Sequence, residues 1–162
     1  VARAGVRKLL MFNAHGGHVA AMDLAARDLR SNGLTVFHTS WEQLPLGAAW
    51  EAFSAEERRY GVHGGEIETS MMLALAPELV GMSKAHNFAS TSEQRAATYP
   101  ILGNGRSAKL GWHIQDYNPQ GAVGNAAAAT AAKGAAVVKS AGEQLAKLLQ
   151  ELMDLPLSTV RT

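Results

Sequence analysis

The chain has 162 residues, of which 47% are hydrophobic, carries a formal net charge of +1 and contains no cysteine. That length supports a real core, the near-neutral balance gives no basis for nucleic acid or a membrane surface as partner, and the lack of cysteine excludes disulfides and thiolate metal sites. No apolar stretch approaches the roughly 18 residues of a membrane span, the first residues lack the apolar core of a signal peptide, and the cysteine-free composition fits a cytoplasmic location.

Ala2-Arg3-Ala4-Gly5 reads as the end of a helix with a glycine cap, which predicts upstream sequence before Val1. Lys8 to Asn13 reads as a buried, parallel strand because Leu9-Leu10-Met11-Phe12 is an unbroken apolar run. From His18 to Ser31, Met22, Ala25, Ala26 and Leu29 recur at helical spacing, and Asn32-Gly33 ends the pattern. Leu34 to His38 is a second strand. Strand, helix and strand in so few residues form a crossover unit of an α/β sheet. Ligands of such sheets gather at the carboxyl ends of the strands, where His15 and Thr39-Ser40-Trp41 stand.

Pro45 to Tyr60 reads as loop with short helical pieces, one starting at Ser54-Ala55-Glu56-Glu57. Glu66 to Leu75 is a helix with Ile67, Met71, Ala74 and Leu75 on its inner face, closed by Pro77. Residues 84 to 124 read as long loops with one short strand at Lys109 to Ile114. Asn125 to Met153 reads as one long helix with a buried stripe of Val138, Ala141, Leu145, Leu148 and Leu152. No repeat or linker divides the chain, so residues 1 to 162 read as a single domain.

His15, in Asn13-Ala14-His15-Gly16-Gly17-His18, stands where a strand ends, between residues that let a ligand approach the backbone. It is either a metal ligand or a polar loop histidine; His18 is more readily a solvated residue at a helix start. In Gly61-Val62-His63-Gly64-Gly65-Glu66-Ile67-Glu68-Thr69-Ser70, a loop histidine precedes two acids in a first helical turn. Acids are favoured there by the helix dipole, but a His/Glu pair also suits proton transfer. Glu66 and Glu68 lie about 200° apart around a helix and cannot both face one site. Trp41 could stack on a flat ring or amide, or simply pack. His38, His86 and His113 have no partner at a recognisable spacing. Gly103-Asn104-Gly105-Arg106 lacks the Lys-Ser/Thr of a phosphate loop.

Three of these segments, in order, resemble the creatininase family of metal-dependent amidohydrolases. Asn13 to His18 resembles its Asn-Gly-His-Gly-Gly-Asn, and His63 to Ser70 its His-Ala-Gly-x-x-Glu-Thr-Ser. Gly121-Ala122-Val123-Gly124 with Ala129-Thr130 and Lys133-Gly134 resembles its Gly-Val-x-Gly and Ala-Thr-x-x-Lys-Gly. The resemblance implies a three-layer α/β/α fold with a mainly parallel sheet, a ring-like homo-oligomer (a hexamer is one such form), and hydrolysis of a non-peptide C–N bond in a small amide, often cyclic, or a formamide. It implies His15 as ligand to a divalent metal (zinc, manganese or iron), His63 and Glu68 as catalytic groups, and Trp41 with Gly16 in the substrate pocket.

It also implies that the chain corresponds to the C-terminal two-thirds of a member. The family's further ligands come from an upstream Glu-x-His and an Asp, and no Glu-x-His occurs in these residues. One imidazole does not hold a catalytic metal, which needs about three protein ligands. Gly17 stands where creatinine-hydrolysing members have an acidic ligand, pointing to another substrate. Two expectations follow: an amidohydrolase that is inactive as this fragment, or a non-catalytic relative serving in assembly or small-molecule binding. A sheet missing strands would expose edges and favour oligomers.

Overall fold

A computed structural model describes residues 1 to 161. The chain is α/β and divides into two compact units, one made of Val1–Leu46 with the chain from Ser140 onward, the other of Gly47–Lys139.

In the first unit, β1 (Lys8–Asn13) and β2 (Thr35–Ser40) pair in parallel, in register from Lys8 opposite Thr35 to Asn13 opposite Ser40. They are joined through α1 (Val19–Ser31), which a short 3-10 turn, Gly16–His18, precedes. Gly33 closes α1 at φ 87°, a left-handed value that costs glycine nothing. The crossover unit read from the sequence is thus present, with β2 running two residues further than the apolar run suggested, to Ser40.

The reading of β1 as a buried strand needs correction. Only Asn13 in it is buried, and Phe12 is 44% exposed. Among the described residues β1 and β2 have no further strand neighbours, so each has an unpaired edge and little cover for its apolar side chains. Phe37 is 45% exposed for the same reason.

The second unit holds α2 (Ala48–Glu51), α3 (Ala55–Tyr60), α4 (Glu66–Leu75), β3 (Asn87–Phe88), α5 (Thr91–Thr98), α6 (Ile114–Tyr117) and β4 (Gly124–Asn125). β3 and β4 pair antiparallel, and His63 and Val123 form an isolated antiparallel bridge. Phe53, Ile67, Val123, Ala126, Ala129 and Val137 are its buried apolar residues. Ser54 caps α3, its hydroxyl accepting from the Glu57 N–H at 3.0 Å, as its position at the helix start predicts.

Three expectations fail here. The inner face of α4 is Glu66, Ile67 and Ser70, whereas Leu75 is exposed. No strand forms at Lys109 to Ile114; Leu110 and Trp112 in that stretch are about half exposed, and nothing pairs with their backbone. α5, capped by the Ser90 hydroxyl, lies within residues read as loop.

The last helix, α7 (Ala131–Asp154), starts six residues later than the alanine run predicts. Asn125 pairs with Asn87 in β4, Ala126–Ala128 form a 3-10 turn, and the Thr130 hydroxyl accepts from the Lys133 N–H to start the helix proper. Helix propensity in Asn125 to Ala129 is overridden because Ala126 and Ala129 are buried against the second unit's core. Of α7, Ala131–Lys139 belongs to the second unit and Ser140 onward to the first. Gly134 and Val137 are its buried residues, while the stripe read from Val138 to Leu152 is half-buried.

Candidate functional site

In the first unit, the carboxyl ends of β1 and β2 are tied together by Asn13. Its side-chain amide donates to the Ser40 hydroxyl at 2.9 Å and to the His15 carbonyl at 2.8 Å, and its oxygen accepts from the His15 N–H at 3.1 Å. Asn13 and Ser40 are both buried. An apolar residue at position 13 would cost that hydroxyl one partner and leave the His15 N–H without its acceptor, which is the physical need for Asn at the head of the motif. The side chain of His15 is thereby presented, exposed, at the strand ends. Its ring meets His18 edge to face, with centroids 4.8 Å apart. Gly17 makes room for it: a Cβ there would stand 2.8 Å from His15 Nε2. Trp41 follows β2 directly and opens a 3-10 turn capped by Ser40 and Gln43.

Among the described residues, no group of three or more His, Asp or Glu side chains is placed to hold a metal ion. The donors of this chain therefore do not fit a complete centre, and His15 is at most one ligand of it.

In the second unit, the loop before α4 brings His63 and Glu68 together. Glu68 Oε2 accepts from the Gly64 N–H at 2.7 Å and lies 3.7 Å from His63 Nδ1, too long for a hydrogen bond but close enough for electrostatic attraction. The Thr69 hydroxyl donates to the Gly64 carbonyl at 3.2 Å. The His63–Val123 bridge holds the other side of the loop, with the Val123 N–H donating to the His63 carbonyl at 2.6 Å. Both side chains are about half exposed, so a ligand can reach them.

Glu66, the other acid of this turn, is buried and pairs with Lys133, whose ammonium also stands 5.6 Å from the Phe53 ring centroid. Ser70, fully buried, accepts from the Thr130 N–H at 3.1 Å. Gly134 packs against the Ser70 carbonyl so closely that any side chain would overlap it. The Glu-x-x-x-Ser spacing on α4 and the Thr-x-x-Lys-Gly spacing at the start of α7 are thus two halves of one contact. Lys133→Ala should leave the Glu66 carboxylate without its countercharge and lower stability by about 2 kcal/mol, less than for a fully buried pair because Lys133 is partly exposed. Urea unfolding measures it, and most of the loss should return in the Lys133→Ala/Glu66→Gln double variant.

Sequence reasoning missed Glu57. This buried carboxylate sits at the amino end of α4, its Oε1 accepting from the Glu66 N–H at 2.7 Å and the Ile67 N–H at 3.4 Å, and its Oε2 from the Asn125 N–H at 2.8 Å. Gly61, Gly65 and Gly124 enclose it, and a Cβ on any of them would strike it. The only signal was indirect: an acid nine residues before a helix start that lacks a capping side chain. The three histidines without sequence partners have local contacts. His38 lies 3.7 Å from Asp23, His86 bonds Gln120 at 2.6 Å, and His113 caps α6.

Comparison with known proteins decides the family. Residues 1–149 match the creatininase family, described as creatinine amidohydrolase. The chain belongs to that family. It is 34% identical over 94 residues to the creatinine amidohydrolase of Pseudomonas putida, a match covering 52% of this chain and 36% of that protein. Among solved structures it is similar to one from Bacteroides fragilis described as a creatinine amidohydrolase, with 30% identity and a TM-score of 0.73 over 96% of this chain and 58% of the other. It is also similar to a manganese creatininase, with 25% identity and a TM-score of 0.65 over 93% of this chain and 58% of that one. The chain thus spans 36% of the curated relative's length and 58% of each of these two structures. These creatininase structures bear out the α/β class that the resemblance implied.

Proposed function

We propose that this creatininase-family chain is part of a metal-dependent amidohydrolase that cleaves a non-peptide C–N bond in a small cyclic amide or formamide. The observation that carries the reading is the His63–Glu68 pair, held on a loop that hydrogen bonds pin on both sides. A carboxylate beside Nδ1 favours the tautomer with its proton there and leaves Nε2 to exchange protons with substrate. His63 takes a proton from the attacking water and returns one to the departing nitrogen; Glu68 orients the ring. Water adds across the C–N bond, giving an acid and an amine. Trp41 offers a face for a flat amide ring, and Gly16 lets it approach the backbone.

His15 supplies one donor to the divalent metal, and the others lie outside these 162 residues. The fragment is inactive without them. On the same reading the protein works as a homo-oligomer in the cytoplasm. The incomplete donor set also favours one other reading, a non-catalytic relative that binds a small molecule or assembles with its own kind.

Metal analysis and an amidase assay on a polypeptide extended upstream test the choice. Stoichiometric divalent metal and turnover of cyclic amides or formamides are expected, with His63→Ala lowering kcat about a hundredfold and leaving KM nearly unchanged. An extended protein with neither metal nor turnover would establish the non-catalytic reading instead.

A further inference from the structure

Beside the His63 loop, within the second unit, is a cleft of about 680 Å³ lined by Arg59, Tyr60, Val62, Asn104, Arg106 and Tyr117. That is the size range of small-molecule sites. An adjoining cleft shares Tyr117 and adds Arg95 and Lys109 to its walls. Four cationic side chains thus line the pair, and no carboxylate lines either. None of the four forms a salt bridge among the described residues. In a chain of net charge +1 this is a local concentration of positive potential.

The walls are built rather than loose. Arg59 lies over the Tyr60 ring at 4.9 Å and Arg95 over the Tyr117 ring at 5.3 Å, which restrains both guanidinium groups. Gly103 abuts the α5 backbone at Arg95 and Ala96, and its N–H donates to the Tyr99 carbonyl at 2.7 Å. Asn104 Oδ1 accepts from the Arg106 and Ser107 N–H groups at 2.8 and 2.9 Å, shaping the turn that carries Arg106. The Gly103 to Arg106 segment, which lacks the pattern of a phosphate loop, therefore presents an arginine to a cleft. Val62, which lines that cleft, is the chain neighbour of His63.

We infer that Arg59 and Arg106 bind the carboxylate of a small acidic ligand. Guanidinium forks match carboxylate geometry through paired N–H donors. That this ligand is the amide substrate itself, an acidic amide, rests on the amidohydrolase reading; the anion site does not.

The test uses titration calorimetry on the 162-residue chain at low salt, with succinate, succinamide and inorganic phosphate as probes. Succinate should bind, succinamide should not, and phosphate should bind more weakly than succinate. Arg59→Gln and Arg106→Gln should each weaken succinate about tenfold, with Arg106→Lys losing less. Equal binding of succinate and succinamide, succinate binding that survives both Gln substitutions, or a preference for phosphate would overturn the proposal. In the extended protein, amidase activity that is indifferent to Arg59→Gln and Arg106→Gln would remove the substrate assignment and keep the enzyme. Succinate binding with no amidase activity would remove the enzyme and keep the anion site.

Discussion

Gly134→Ala lowers the stability of the protein by about 3 kcal/mol, an expected result whose sign opposes the usual effect of that substitution. In an exposed helix, alanine is better than glycine by about 1 kcal/mol. At Gly134 the added methyl group would overlap the Ser70 carbonyl of α4, which is backbone and cannot rotate away. Either the two helices separate, loosening Val137 and the Thr130–Ser70 hydrogen bond, or the Glu66–Lys133 pair is pulled apart. Gly142 in the same helix is the control, because a Cβ there meets nothing within 4 Å. Gly142→Ala should be neutral or stabilising. Urea midpoints at equal slope measure both. A Gly134→Ala protein as stable as the parent would mean that α4 and α7 do not meet as described.

Glu57→Ala should cost about 4 kcal/mol, since it removes the acceptor of the Glu66, Ile67 and Asn125 N–H groups at a largely buried site. It also removes a negative charge from the amino end of α4, where the helix dipole favours one. Glu57→Gln keeps one acceptor oxygen and should cost about half as much. The neighbouring Glu56 is exposed, and Glu56→Ala should stay within about 0.5 kcal/mol of the parent. Hydrogen exchange gives a second readout: the amides of Glu66, Ile67 and Asn125 should lose protection in Glu57→Ala before the rest of the second unit. If Glu57→Ala unfolded at the same urea concentration as the parent, the carboxylate would not be the anchor that its three bonds describe.

Much of the local structure was legible. The bounds of β1 and α4 match their readings, though their buried residues do not, and α1 begins one residue later than read. These elements carry their signals within themselves: an apolar run for β1, a 3.6-residue period in the helices, and a stop at Gly33 for α1 and Pro77 for α4. The alanine run before α7 carried an equally strong signal and was misread, because Asn125 is claimed by a strand partner 38 residues earlier, at Asn87. α5 escaped notice for the opposite reason: it is short and polar, and its cap rather than any period defines it.

The candidate site divides in the same way. That His63 would meet one of the two acids at the start of α4 was readable, since a loop and the first turn of the helix that follows it are close whatever surrounds them, and the family resemblance pointed to Glu68. So were the strand ends that carry His15 and Trp41, and the order of the three family segments.

Which of the two acids on α4 would serve the scaffold was not readable. Helix geometry put Glu66 and Glu68 on different sides, but the burial of Glu66 depends on Lys133, 67 residues further on. The role of Glu57 likewise depends on Asn125, 68 residues away. The sequence by itself determined β1, α1, β2, α4, the order of the motif segments and the family they point to, because those signals lie in neighbours along the chain. Only the tertiary structure decided which carboxylates are buried to hold the fold and which one is left half-exposed. A carboxylate's role is set by the donors that reach it, and here they come from segments that meet only when the chain is folded.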